Sequence, residues 1–164
     1  MATPTSLPSS FSAGAVLTAA QMNDLRGAFR VLQVVSGTTA TQTTNSSNTY
    51  ADTNLTATIT PSATSNKVLV LVSQAGCFKD TGNTWLSLRL VRGSTQLIEF
   101  EGYGGYNAGT TDNAFGSCSC VYLDSPSTTS ATTYKTQLKS VQNIAKVGVQ
   151  ASATSTIILM EISA

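Results

Sequence analysis

An all-β sandwich of about eight or nine antiparallel strands, preceded by an extended N-terminal arm and one short helix, is the architecture this sequence predicts. Three observations predict it. From residue 29 onward, short runs rich in β-branched and aromatic residues alternate apolar with polar at a period of two. Clusters of Gly, Pro, Ser, Asn and Thr separate those runs at turn-like intervals. At 164 residues, the chain is long enough for one domain with a real hydrophobic core and no need of metal or disulfide staples.

The elements follow in order. Residues 1–17 combine Pro4 and Pro8 with small hydroxyl residues and show no period that buries a face, so they read as an extended arm. Thr18 and Gln21 have the spacing of a capping box, Leu17 and Met22 that of a hydrophobic staple. Met22, Leu25 and Phe29 continue at helical spacing, and Gly27 marks the end of a helix of about two turns. The first strand is FRVLQVVSG, closing on Gly37; the polar tract to Asn54 is a long loop whose end, around Thr49 to Thr53, pairs as an edge strand. In LTATIT, Leu55, Ala57 and Ile59 alternate with threonines until Pro61 ends the strand. KVLVLVSQ, from Lys67 to Gln74, is nearly continuous apolar and suits a strand buried on both sides or lying in a subunit contact.

TWLSLRLVRG and TQLIEFEGY form a hairpin around Gly93-Ser94, with Trp85 read as core. Residues 102–113 hold four glycines and two tyrosines and read as a displayed loop. AFGSCSCVYLD, TTYKTQLKSV and STIILMEIS supply the last strands. In the second of these, Tyr134, Thr136 and Leu138 alternate against Lys135, Gln137 and Lys139. The division is therefore 1–28, arm plus helix, and 29–164, β-domain.

Charged residues make up only 10% of the chain and the formal net charge is +1. A surface so poor in charge repels its neighbours weakly, which favours packing of identical subunits or docking onto a large assembly. The nine basic residues form no run or stripe, so nucleic acid is not an expected partner. The longest apolar stretches are far too short to cross a bilayer as a helix, and no membrane association is expected. Met1 to Ser10 lack the basic and apolar regions of a secretion signal, so the chain is expected to fold in the cytoplasm where it is made.

The sequence contains no histidine, which removes Ser-His-Asp and Cys-His nucleophilic sites, the usual general base near neutral pH, and His-containing zinc sites. Cys77, Cys118 and Cys120 are an odd set without zinc-like spacing; Cys118 and Cys120 share one face of a strand and read as small buried residues. Glu99 and Glu101, two apart on one strand, should share a solvated face, whereas a glycosidase pair flanks its bond from opposite sides. Asp80, Asp112 and Asp124 read as turn residues, without EF-hand spacing around them. The expectation is a non-enzyme with no cofactor and no metal. Tyr103 and Tyr106, rigid amphipathic rings among glycines, are the candidates for contact with a partner or a glycan.

Two sets of residues carry a resemblance. The segment LTAAQMNDL (Leu17 to Leu25), with the ordered stretches L-x-A-x-I-x-P at Leu55 to Pro61, KVLV at Lys67 to Val70, TTYK at Thr132 to Lys135 and ILMEI at Ile158 to Ile162, resembles small structural proteins of tailed bacteriophages. The resemblance spans most of the chain and implies a jelly-roll-like domain, often trimeric, carried on a fibre, tail tip or capsid surface. The expected protein is thus a virion component: a trimeric decoration or cement protein or fibre knob, contacting itself and other virion proteins. The alternative is a tail receptor-binding protein gripping a host surface polysaccharide. Leu7, Phe11, Val16, Leu17, Met22 and Leu25, apolar groups in an otherwise small and polar segment, are the expected docking residues.

Overall fold

The computed structural model describes Gly14, Val16, Thr18, Ala19 and residues 30–109, 112–149 and 153–163. Ten strands form among them: β1 (Val31–Thr39), β2 (Thr43–Asn45), β3 (Ala51–Ile59), β4 (Lys67–Lys79), β5 (Thr84–Arg92), β6 (Thr95–Asn107), β7 (Asn113–Asp124), β8 (Thr132–Ser140), β9 (Ala145–Val147) and β10 (Ser155–Ile162). Two of the ten lie in the polar tract after Gly37 and the loop after Ser140, where the three-residue strands β2 and β9 pair with each other. Segments this short carry no readable period. The expected edge pairing near Thr49 to Thr53 and the LTATIT strand are one continuous element, β3.

Two antiparallel sheets result. In the first, β1, β10, β4 and β7 lie side by side, and β9 and β2 extend the flank of β4 beyond the end of β10. In the second the order is β3, β8, β5, β6. The hairpin between β5 and β6 turns on Gly93, whose φ of 57° is the left-handed value a glycine-first two-residue turn needs.

The inward positions are those the alternation marks. Leu55, Ala57 and Ile59 of β3, with Tyr134 of β8 and Leu90 of β5, meet Val68, Val70 and Val72 of β4 and Ile157 and Leu159 of β10. A second apolar cluster joins Leu86, Leu88 and Leu138 to Cys77, Cys118, Ala145 and Val147. Buried polar groups lie in the interior as well: Gln74 accepts from the Thr136 hydroxyl at 2.8 Å and donates to Ser155 at 2.9 Å, while Thr53 bonds Thr136. Each is satisfied by another, so their burial does not leave a desolvated orphan.

Residues 102–113 differ from expectation. Half of them, residues 102–107, belong to β6, which runs to Asn107, so the connection to β7 is only residues 108–112. The glycines here are required by packing: a Cβ on Gly104 or Gly105 would stand 2.8 or 2.6 Å from the Phe115 ring. Most of the arm, and all of the expected helix but Thr18 and Ala19, lie outside the described residues.

Candidate functional site

The two outer faces of the sandwich have opposite chemistry. On the first sheet, the residues that alternate away from the core are Val34 and Ser36 on β1, Ile158 and Met160 on β10, Leu69 and Leu71 on β4, and Val121 and Leu123 on β7. Strand register aligns them into two rows that cross the four strands: Val34, Met160, Leu69, Leu123, then Ser36, Ile158, Leu71, Val121. The next row, Thr38, Thr156, Ser73, Ser119, is wholly polar and bounds the patch. Neither apolar row carries a charge. Val121, Val34 and Leu123 are 66%, 56% and 52% exposed. Four strands about 4.8 Å apart and two rows about 7 Å apart give a flat footprint of roughly 300 Å², a patch size that on isolated subunits often marks an interaction surface. The expectation for Lys67 to Gln74 is refined accordingly: Val68, Val70 and Val72 enter the core, while Leu69 and Leu71 face outward.

The second sheet turns a polar face outward. Lys135 and Gln137 both donate to Asp52, at 2.7 and 2.6 Å; Arg89 donates to Gln137 and Gln96 at 2.9 Å each. Tyr50 covers this face, with the Arg89 guanidinium 3.9 Å and the Lys139 ammonium 4.9 Å from its ring centroid. At the end of this sheet stands an aromatic group. Trp85, expected in the core, instead faces outward and is partly exposed. Its ring centroid lies 4.6 Å from that of Tyr103 and 5.9 Å from that of Tyr106, with the two tyrosines 4.7 Å apart. Tyr103 and Tyr106 are 54% and 39% exposed. The alternation of TWLSLRLV does place Trp85 opposite Leu86, Leu88 and Leu90, which was the signal for its outward position.

The carboxylates are dispersed. A register shift between β5 and β6 sets Glu99 level with Arg89 and Glu101 level with Leu88, so the pair does not share the face that simple alternation predicts. The Glu101 carboxylate accepts the Tyr103 N–H at 2.9 Å and lies 3.9 Å from Cys118 Sγ. Asp124 is no turn residue: it is buried at the end of β7, where it accepts from Arg92 and from the Tyr134 hydroxyl, both at 2.6 Å. Asp80 pairs with Lys146 at 2.6 Å. Among the described residues, no three His, Cys, Asp or Glu side chains cluster in a way that could hold a metal.

Cys118 and Cys120 point inward together, as their spacing requires, and all three cysteines are free thiols. Hydrogen bonding with Cys118, and then burial, pushes the Cys77 thiol up; burial pushes Cys120 up to about 11. Neither is a thiolate near neutrality, whereas the hydrogen bond from Cys77 holds the Cys118 thiol below its ordinary value against burial and the nearby Glu101 carboxylate.

Of the expected docking residues, Val16 is described and is almost fully exposed. Leu7, Phe11, Leu17, Met22 and Leu25 lie outside the described residues.

No family model matches the chain, and no curated protein matches it. Among solved structures, it is similar to Eiger TNF from S. frugiperda, with a TM-score of 0.49 and 13% identity over 80% of this chain and 93% of that one.

Proposed function

We propose that this chain is a non-enzymatic structural protein of a bacteriophage particle. Residues 1–28 dock it to the virion, and residues 29–164 form a jelly-roll-like domain displayed as a homotrimeric decoration or cement protein or fibre knob. The strand order supports the jelly-roll reading: β1, β10, β4, β7 facing β3, β8, β5, β6, with the chain passing from sheet to sheet at most connections, is the pattern of two interlocked Greek keys. The bacteriophage origin and the threefold number rest on the resemblance of the quoted stretches.

The observation that carries self-association is the pair of uncharged apolar rows on the first sheet. Water exposure of these side chains is unfavourable, and a second copy offers two rows equally free of charge, so the rows themselves bring no ion to be desolvated when copies meet. In the trimer, these faces turn toward the threefold axis and the polar sheet faces outward. Light scattering on the intact protein tests this. We expect a trimer mass at micromolar concentration, and a monomer mass for the double variant L71E/V121E with its cooperative unfolding retained. A monomeric unsubstituted protein overturns the reading. Imaging particles that carry a label on the β-domain tests the virion location; purified particles without label overturn it.

A second reading keeps the same domain and makes it a tail receptor-binding protein that grips a host surface polysaccharide. The exposed Trp85, Tyr103 and Tyr106 group favours it.

A further inference from the structure

Trp85, Tyr103 and Tyr106 belong to neither apolar cluster of the core and stand on the polar sheet, away from the apolar rows. Their planes turn progressively: 42° from Trp85 to Tyr103, 36° from Tyr103 to Tyr106, and 74° between the outer two. The rings therefore form a fan with Tyr103, the most exposed of the tyrosines, in the middle.

The backbone beneath the fan is tightly held. Ser87 Oγ donates to Gly102 O at 3.1 Å, Asn113 Nδ2 to Gly105 O at 3.0 Å and Asn83 N to Asn107 O at 2.9 Å. The buried Lys79 ammonium donates to Thr81 O and to Asn107 Oδ1, and the Phe115 ring fills the space under Gly104 and Gly105. Rings on such a base lose little freedom when a ligand arrives, which is the condition for a binding surface rather than a mobile tip.

We propose that this fan is a carbohydrate-binding site whose ligand is a neutral sugar chain. The inference rests on the second reading above and supplies its site and ligand class. A sugar ring presents one face of C–H groups, which stacks on aromatic faces, and an equator of hydroxyls, which needs neutral donors and acceptors beside those faces. The tyrosine hydroxyls and the Asn83 amide provide these; Tyr106 Oη lies 3.4 Å from Asn83 Oδ1, a long contact that a hydroxyl can replace. Charge at the fan argues for a neutral ligand. The Lys79 ammonium is buried and engaged below, and the exposed Glu99 carboxylate, whose Oε1 would lie 3.1 Å from a Cβ on Gly102, would repel an acidic sugar.

Trp85 is the only tryptophan in the sequence, so its fluorescence reports directly on the site. The experiment titrates the full-length protein with neutral oligomers of glucose, galactose, rhamnose and N-acetylglucosamine, and with uronic-acid and sulfated oligomers as acidic probes. We expect a saturable change with at least one neutral oligomer, weakened roughly tenfold in Tyr103→Ala. The unfolding temperature and mass of the variant should match the parent, which separates a lost contact from a lost hairpin. No response to any neutral oligomer, a response to acidic ones alone, or undiminished binding by Tyr103→Ala each overturns the site. The mass measurement judges self-association separately: a trimer that binds no sugar leaves the first reading standing, and a monomer that binds one leaves this site standing.

Discussion

At Gly37, a side chain is excluded by a neighbour rather than by torsion. A Cβ built there would stand 1.9 Å from the Thr56 carbonyl oxygen, because β1 passes over β3 at that point. Replacement by alanine must push two strands apart, and Gly37→Ala is expected to cost about 3 kcal/mol in denaturant unfolding. Glu161 is the other residue that decides much from one position. Its carboxylate is fully buried and accepts from Gln33 Nε2 at 2.6 Å, Ser62 N at 2.7 Å, Ser62 Oγ at 2.8 Å and Asn66 Nδ2. Burial raises its pKa, but these donors outweigh burial and hold it below the ordinary 4.5. The ionised form is therefore favoured by folding, and its contribution is complete above about pH 4.5 and lost as pH falls through the depressed folded value. Glu161→Gln should unfold at lower temperature at neutral pH, since an amide NH₂ cannot accept from those donors, and should lose part of the parent's acid sensitivity below pH 4.5. Thermal melts across acidic pH check both.

Among the elements, β7 ties the two sheets together through its last residue. Asp124 sits between Arg92 of β5 and Tyr134 of β8, and burial, followed by the bond to Asp124, pushes the Tyr134 hydroxyl well up from its ordinary value. Tyr134→Phe removes one donor to a buried carboxylate while Arg92 remains. The expected loss is about 1 to 3 kcal/mol, read from denaturant unfolding with an unchanged slope. The β5–β6 hairpin depends on backbone freedom at Gly93, whose φ is positive and around which nothing lies within 4 Å of an added Cβ. Gly93→Ala is therefore expected to cost only about 1 kcal/mol, all of it torsional. A larger loss would mean that the turn makes contacts beyond its own strands.

For the whole molecule, the contrast between outer faces predicts how it tolerates change. Charges added at the Asp52, Lys135 or Gln137 positions enter a face already laced with ions and should leave the proposed trimer intact, whereas one charge at Leu71 or Val121 should split it. Residues 1–28 are proposed to dock the domain to its assembly. In that role a partner supplies the apolar burial that offsets roughly 1 to 2 kcal/mol of backbone entropy per ordered residue. A truncation that begins at Phe29 should keep cooperative unfolding and oligomer mass while losing attachment to particles. Unfolding or dissociation of the truncated chain would assign the segment to the domain itself.

Local alternation was enough to reveal the all-β class, the hairpin at Gly93-Ser94 and the inward residues of β3 and β8, because a period of two is a local property that strand geometry imposes on each segment. The sequence also marked Tyr103 and Tyr106 as exposed, through the company of glycines. What it did not determine came from partners remote in sequence. The bulge that separates Glu99 from Glu101 is a matter of register between strands, and the burial of Asp124 depends on Arg92 and Tyr134 arriving from other elements. The Glu161 cage likewise draws its donors from residues 33, 62 and 66. Most consequentially, Leu69 and Leu71 are apolar in a nearly unbroken run, so no local pattern says that they line up with Met160, Ile158, Leu123 and Val121. Only the pairing of four strands, fixed by core packing between the sheets, assembles those scattered side chains into two adjacent uncharged rows.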